Sequence, residues 1–557
     1  MAKLPSSRIV EIFAVLAAWL LGTVGAYLLT SFFESAQASL YQLIFLPLLL
    51  TTLVALPVYF GLRSLPTVNL VTAWPSLLAM LLLGRFAYRV VEMSLTFPNL
   101  LPAGKFNLAA DSLPVFAAAA LAALGIQWTL VRQLPTQAPR LVSFLRQHAS
   151  GLLLAALFFV VYFALTNSFN RQDFNTNNVF FAADSHQWQL RLAGERGQLM
   201  ENRAIHPLAF LILRPAVAGV SMLFAAAPFD ALLFLLALVG SWGIFLAWLF
   251  LKLVTGNATH AFLFAALLGL STTNLVFNAV AETYIFSAFM LILFFVLLQQ
   301  EARFHWLVLG GLTIFGITIS NLVQSLVGIA ASDLKLKRAA RFTLWVVGLA
   351  AALNLVSNQV LPDSALFFDP AAYGVESQHY QLGSTTQAWT ARATLVSSDM
   401  FLFSVVAPQP YLLETTRDVR GEFPKFNFML GERTSQFTGL GKIAVWIWVG
   451  LLLAALGTFI YSLRQERFIV RNRLSLALLG CLVFNFVFHF YYGFEPFLYA
   501  ANWTYALVLF AALGLSSFAS HKLLQGTLLL LLAWLTLNNL SFLHFLMSGL
   551  SAYIPDL

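Results

Sequence analysis

The chain has 557 residues, of which 60% are hydrophobic and only 10% charged, against about 25% charged residues in a soluble domain. Its 53 phenylalanines are more apolar surface than a water-soluble core of this length hides, so lipid is the solvent for much of the chain and a soluble enzyme or binding module is excluded. The net charge of +8 sits in short Lys/Arg clusters between apolar runs, a membrane-topology pattern and not a nucleic-acid-binding one.

The basic start, Met1–Arg8, leads into an apolar run at 9–30 with no small-residue cleavage site, which reads as a retained first helix. Further runs long enough to span lie at 40–62, 70–92, 113–132, 150–168, 231–253, 341–360, 442–463, 474–491, 500–518 and 525–545. Basic clusters at the joints orient them: Lys3 and Arg8; Arg132, Arg140 and Arg146; Lys335, Lys337, Arg338 and Arg341; Arg464, Arg467, Arg471 and Arg473. Placing these in the cytoplasm puts two polar segments, 169–205 and 361–441, on the outer face.

Two runs are irregular. Segment 206–228 carries Arg214-Pro215 in its middle, and 306–332 has Gly310, Gly311 and Gly316 before the polar Ser320, Asn321, Gln324 and Ser325. Either both are single spans, or neither crosses. In the preferred second reading, 206–228 is a juxtamembrane or re-entrant segment and 306–332 is a hairpin of two short helices tipped by Ser320–Gln324. With 260–275 and 283–299 joined by Thr272–Glu282, the expectation is an all-α polytopic membrane protein of about 15 transmembrane helices, with juxtamembrane helices in its outer loops. Four parts follow: an accessory block at 1–149, a core at 150–360 that includes the first outer loop (169–205), an outer loop at 361–441, and C-terminal helices at 442–557. Cys481, the single cysteine, lies in an apolar run and forms no intramolecular disulfide.

Charge is costly near lipid, so charged residues without a topological role are candidates for function. Asp184 follows the apolar Val179–Ala183 and precedes a short amphipathic helix over His186–Ala193, where a carboxylate can act as general base on a hydroxyl. The structural alternative is an N-cap, with Gln187 completing a capping box; the two are compatible. Asp173, among Asn170, Asn175, Asn177 and Asn178, reads as a solvated loop residue. Glu282 and Tyr284 open an apolar span, where the helix dipole alone accounts for a carboxylate, although Ser or Thr is a cheaper cap in lipid. A third joint gathers His489, Tyr491, Tyr492, Glu495, Tyr499, Asn502 and Trp503. Its aromatic residues read mostly as interfacial belt, leaving His489 and Glu495 as contacts for a substrate head group. Arg392, Arg417 and Arg420 suit phosphate or plain solvation. The sequence has no phosphate-binding Gly-rich loop, zinc motif or nucleophile elbow.

Taken in order, these residues resemble the GT-C superfamily of polytopic glycosyltransferases. The matching features are Asp184 soon after a span and His206-Pro207-Leu208 in place of a Lys/His-Pro-Pro stretch. A joint running into Ala281-Glu282-Thr283-Tyr284 follows, then the Gly310–Gly316 hairpin with Ser320-Asn321 and a basic inner loop. They cover about residues 150–345, and Glu495–Tyr499 resembles a late outer loop of some members. The resemblance implies a GT-C-like fold and transfer of a sugar, with inversion, from a polyprenyl-phosphate carrier to an acceptor hydroxyl outside the membrane. Asp184 would deprotonate the acceptor, with Glu282 as the second catalytic carboxylate, and Arg191, Arg203 and His206 would face the sugar phosphate. Asn321, Gln324, His489 and Glu495 complete the expected substrate-binding set. The partners implied are a polyprenyl-phosphate sugar, a lipid, glycan or protein acceptor, and membrane lipids, without nucleic acid. The setting implied is the bacterial inner (plasma) membrane. Many members carry paired acids or Asp-x-Asp in the first loop. Here Asp184 stands alone, so no metal ligand or certain cofactor is assigned and a divalent metal stays open. Competing readings are a transporter or flippase of a lipid-linked saccharide, which needs midplane charges such as Arg85, Arg89 or Arg214, another lipid-modifying transferase acting through 361–441, and a structural subunit.

Overall fold

The computed structural model describes residues 6–33, 39–64, 70–170, 178–195, 202–333, 336–374, 376–381, 383, 385–417, 421–430, 433–465 and 470–553. Apolar runs in lipid satisfy their backbone internally, and helices do that within one segment. In chain order these are α1 (Ser6–Phe33), α2 (Leu40–Ser64), α3 (Leu70–Thr96), α4 (Leu113–Gln137), α5 (Pro139–Gln147), α6 (Ala149–Phe169), α7 (Ser185–Ala193), α8 (Ala209–Phe224), α9 (Pro228–Thr255) and α10 (Ala258–Leu270). There follow α11 (Thr272–Phe277), α12 (Tyr284–Gln299), α13 (Phe304–Ile317), α14 (Leu322–Asp333), α15 (Leu336–Val360), α16 (Thr386–Ser398), α17 (Gly439–Arg464), α18 (Val470–Tyr491), α19 (Ala501–Gly514) and α20 (Lys522–Ser551).

Among the described residues nine helices are long and apolar enough to cross a membrane: α1, α2, α4, α6, α9, α15, α17, α18 and α20. The chain is an integral membrane protein. The run at 70–92, read as a span from sequence, forms the 27-residue helix α3, of which Leu70–Thr72 are outside the residues those nine were drawn from.

Helices in lipid gain little from burying apolar surface, so they associate by close packing at small residues. A Cβ on Gly151 of α6 would stand 2.3 Å from the Trp248 ring of α9, and one on Gly269 of α10 would stand 2.3 Å from Phe158 of α6. At Gly240 of α9 the notch is filled by the Asn278 amide, 1.6 Å from where a Cβ would be. Polar side chains also satisfy the backbone where α10, α11 and α12 break. Asn539 Nδ2 donates to the Leu270 carbonyl at 2.6 Å, and Thr166 Oγ1 donates to that of Asn278 at 2.9 Å. The connection between α10 and α12 is thereby held inside the helical body and fully buried.

The two irregular runs have distinct solutions. Leu208, just before α8, donates its N–H to Gly316 at the end of α13, and Gln42 at the start of α2 donates to the carbonyls of Phe224 and Ala225. The α1–α2 joint lies at the end of the bundle where α6 finishes, because Gly61 near the far end of α2 meets Ala149 at the start of α6. Segment 206–228 therefore runs across one end of the bundle. Its Arg214 is no midplane charge: Nη1 and Nη2 donate to Arg191 and Gly194 at the C-terminus of α7, at 2.9 and 2.8 Å.

Segment 306–332 breaks at Thr318, which is extended (φ −151°, ψ 111°). Gly310 before the break and Gly328 after it both face Phe294 of α12, while Thr318 meets Ser287 near the start of α12 at 3.1 Å. The two halves descend to the same depth, so α13 and α14 form a hairpin with Ile319–Asn321 at its tip.

The body is all-α, as expected, and one loop adds short strands to it. Segment 361–441 contains a hairpin, β1 (Tyr411–Arg417) antiparallel to β2 (Gly421–Asn427), and a short pair, β3 (Met429–Leu430) with β4 (Arg433–Thr434). The segment before α7 adds to it: Phe181 N donates to Phe426 O and Phe426 N to Val179 O, both at 2.8 Å.

Candidate functional site

Asp184 is fixed from behind by that strand pairing. Phe180 stacks on Phe426, and Phe181 packs against Phe428 and Phe497 at 4.5 and 5.1 Å. The next turn is strained, because Phe181 and Ala182 both have left-handed backbone (φ 51° and 60°). Such a conformation costs a non-glycine residue about 1–2 kcal/mol, and tertiary anchoring has to hold it. Asp184 then stands as N-cap of α7, yet its side chain makes no capping hydrogen bond, so the capping box with Gln187 is not formed. Its oxygens turn elsewhere: Oδ1 accepts from Asn178 Nδ2 at 3.3 Å, and Oδ2 lies 3.4 Å from Arg203 Nη1.

Glu282 lies against the same turn. Its Oε1 accepts the Asp184 main-chain N–H at 3.0 Å and its Oε2 accepts that of Thr283 at 2.7 Å. Thr283, not Glu282, is the N-cap of α12. With 2% exposure, burial and then the nearby Asp184 charge push the Glu282 carboxyl up to about 8, so it keeps its proton near neutral pH. The pair divides into a protonated, buried acid and a partly exposed carboxylate.

Arg203 extends the network. Its Nη2 donates to Glu376 Oε1 at 2.7 Å, and Glu376 Oε2 accepts from the Tyr492 hydroxyl at 2.7 Å. Burial works to raise the Glu376 pKa, but the Tyr492 hydroxyl and Arg203 outweigh it and hold the carboxyl below its ordinary value. A chain of contacts thus runs Glu282–Asp184–Arg203–Glu376–Tyr492, drawing on loop 169–205, the α11–α12 joint, segment 361–441 and the end of α18. Sequence reading missed Glu376, which sits in a long polar stretch with nothing local to mark it. Tyr492 was read as interfacial belt.

The other expected site residues fall elsewhere. Arg191 is 5% exposed, lies 5.3 Å over the Trp188 ring and donates to Gln187 at 3.3 Å. His206 Nδ1 is 2.6 Å from the Ile317 carbonyl and its ring meets Trp188 edge-on. Burial lowers the His206 pKa to about 3, so it is a neutral strut between α7 and the hairpin and not a phosphate-binding cation. Asn321 and Gln324 belong to a buried chain in which Asn321 donates to Asn502, Gln324 to Asn321 and Tyr505 to Gln324, at 2.8–2.9 Å. They pin the hairpin to α19 and are not open to substrate.

His489 is buried and stacks on Tyr499 at 4.4 Å. Glu495 accepts the Phe428 N–H at 3.3 Å, and burial pushes its carboxyl up to about 7. It lies near Asp399, a buried acid that accepts the Phe497 N–H. Arg392 donates to the carbonyls of His489, Phe490, Tyr492, Gly493 and Phe494, closing the C-terminal end of α18. Asp173, Asn175, Asn177 and Arg420 lie outside the described residues, as does the Arg417 side chain.

Among the described residues no group of three His, Cys, Asp or Glu side chains is arranged to hold a metal ion. Comparison with protein-family profiles, with curated proteins and with solved structures finds no match.

Proposed function

We propose that this chain is a membrane glycosyltransferase of the GT-C kind, moving a sugar from a polyprenyl-phosphate carrier to an acceptor hydroxyl with inversion. The observation that carries the reading is Asp184 itself, a partly exposed carboxylate held on strained backbone between a protonated Glu282 and the Arg203 guanidinium. Burial keeps the Glu282 proton in place beside the accessible Asp184, an arrangement that supports an acid and a base in one site. Asp184 takes the proton of the acceptor hydroxyl as that oxygen attacks the anomeric carbon. The bond from that carbon to the phosphate oxygen breaks, and its electron pair leaves with the polyprenyl phosphate. Arg203 is the cation nearest that charge, and the prenyl tail lies between spanning helices. The positive-inside pattern supports an outward-facing site in a bacterial inner membrane, with about 15 helices counting the shorter ones.

Less supports the transporter reading. Of its three midplane charges, Arg89 pairs with Glu92 on the surface of α3, Arg85 lies over Tyr88, and Arg214 caps α7. The test is Asp184→Asn in purified protein, assayed for sugar transfer from polyprenyl-phosphate hexoses and pentoses. Turnover should fall by at least a thousandfold with Tm unchanged. Full activity in the variant sinks the assignment.

A further inference from the structure

The chain of contacts around Asp184 closes on itself through two tyrosines that have had no role so far. Tyr492, bonded to Glu376, lies 6.0 Å ring to ring from Tyr499, and Tyr499 meets Tyr284 edge-on at 5.5 Å. Tyr284 follows Glu282 by two residues, so the circle returns to its start. Among the described residues neither the Tyr284 nor the Tyr499 hydroxyl has a hydrogen-bond partner, although Tyr284 is only 7% exposed. Neither oxygen is among the sealed, unsatisfied polar atoms of the protein, so each opens onto space that water reaches.

The Tyr499 ring is held from three sides: His489 stacks on it, Tyr284 meets its edge, and Gly493 leaves it room, since a Cβ there would stand 2.5 Å from the ring. A ring so fixed presents its hydroxyl as the part left for a ligand.

Charge decides which ligand. Among the described residues the Arg203 guanidinium is already committed to both Asp184 and Glu376, which leaves carboxylate and phenol oxygens rather than a spare cation to meet a ligand. A saccharide ring fits better. Its hydroxyls donate to carboxylates and accept from phenols, and its C–H faces pack on aromatic rings.

We propose that Tyr284 and Tyr499, which share this circle of contacts with Asp184 and Glu376, form a saccharide subsite that binds the hydroxyls of a sugar ring and leaves the carrier phosphate to lie beyond it. The inference rests on the glycosyltransferase reading. The sugar belongs either to the donor or to the acceptor, and binding measurements separate the two.

In nanodiscs, wild type and the Tyr499→Phe and Tyr284→Phe variants are titrated with polyprenyl phosphate, with a panel of polyprenyl-phosphate hexoses and pentoses, and with free oligosaccharides. Each variant keeps its ring and loses one oxygen. Wild type should bind at least one sugar-bearing ligand about tenfold more tightly than its sugar-free counterpart. Tyr499→Phe should remove about three- to tenfold of that preference, the range of one hydrogen bond, with affinity for polyprenyl phosphate and Tm unchanged. Loss confined to the lipid-linked sugars assigns the subsite to the donor, and loss confined to the oligosaccharides assigns it to the acceptor. If wild type shows the preference and both variants keep it in full, the subsite is refuted and the glycosyltransferase reading stands. If wild type prefers no sugar-bearing ligand across the panel, both fall.

Discussion

The main-chain N–H of Asp184 donates to the Glu282 carboxyl across 3.0 Å, so the two acids of the site are joined through backbone, and the buried one orients the exposed one. The same contact ties the turn before α7 to the start of α12. A change at Glu282 should therefore register in both activity and stability.

The sign of the pH effect follows from the raised pKa. Glu282 moves from an ordinary 4.5 to about 8 on folding, so the folded chain holds a proton that the unfolded chain has released between those values. Its contribution to stability is complete below about pH 4.5 and is lost as pH rises through about 8. The Tm of the purified protein should fall as pH rises from about 4.5 to about 8 and level off above that. Glu282→Gln should lower Tm throughout, because the amide nitrogen cannot accept the Thr283 N–H, and should flatten the slope. A variant retaining the wild-type slope would show that another group titrates.

Arg203 and Glu376 form a pair with side chains 23% and 9% exposed, so screening by solvent is partial. Arg203→Met and Glu376→Gln should each cost about 1–3 kcal/mol, because each strands a buried charge or donor. The double variant should cost less than the sum of the two by about 1 kcal/mol, read from unfolding of the four proteins in one detergent. Strict additivity would mean that the two side chains act independently.

The hairpin has a topological consequence. If α13 and α14 return to the same side, then Arg303 just before α13 and Lys337 near the start of α15 share one membrane face, and Ser377 beside Glu376 lies on the other. Single cysteines at Arg303, Lys337 and Ser377 should label accordingly with a membrane-impermeant maleimide in oriented vesicles. The native Cys481 is buried and adds no background. Labelling of Arg303→Cys and Lys337→Cys from opposite faces would restore a single crossing for 306–332.

How much of this was written in the chain varies by residue. Asp184 and Glu282 stand out because a carboxylate beside an apolar run has few cheap explanations, and they are adjacent in space. The break at Thr318 was legible through the glycines and polar residues around it. Glu376 was not, because a glutamate in a long polar loop looks like any solvated charge until folding brings Arg203 and Tyr492 to it. The β1–β2 hairpin escaped notice for a related reason: its strands alternate weakly, and part of their pairing comes from Val179–Phe181, far away in sequence. Arg191 and His206 carried the right chemistry for a phosphate site, but burial under Trp188 and the bond to Ile317 commit them to packing. Residue type and spacing do not report which of two polar neighbours ends up sealed.

Gly493 offers a further test, because two costs act there. Its φ of +87° is backbone that side-chain-bearing residues avoid, and an added Cβ would stand 2.5 Å from the Tyr499 ring. Gly256, at the end of α9, has φ +66° but open space around its missing Cβ. Gly256→Ala therefore bears only the backbone cost, about 1–2 kcal/mol, and should lower Tm while leaving ligand binding unchanged. Gly493→Ala should lower Tm by more than that, because Tyr499 must also shift off its stack with His489. It should weaken sugar-dependent binding at least as much as Tyr499→Phe does, since a displaced ring takes its hydroxyl with it. Equal Tm losses for the two glycine variants, with binding intact in both, would show that the Tyr499 ring has room to move and is not held by Gly493.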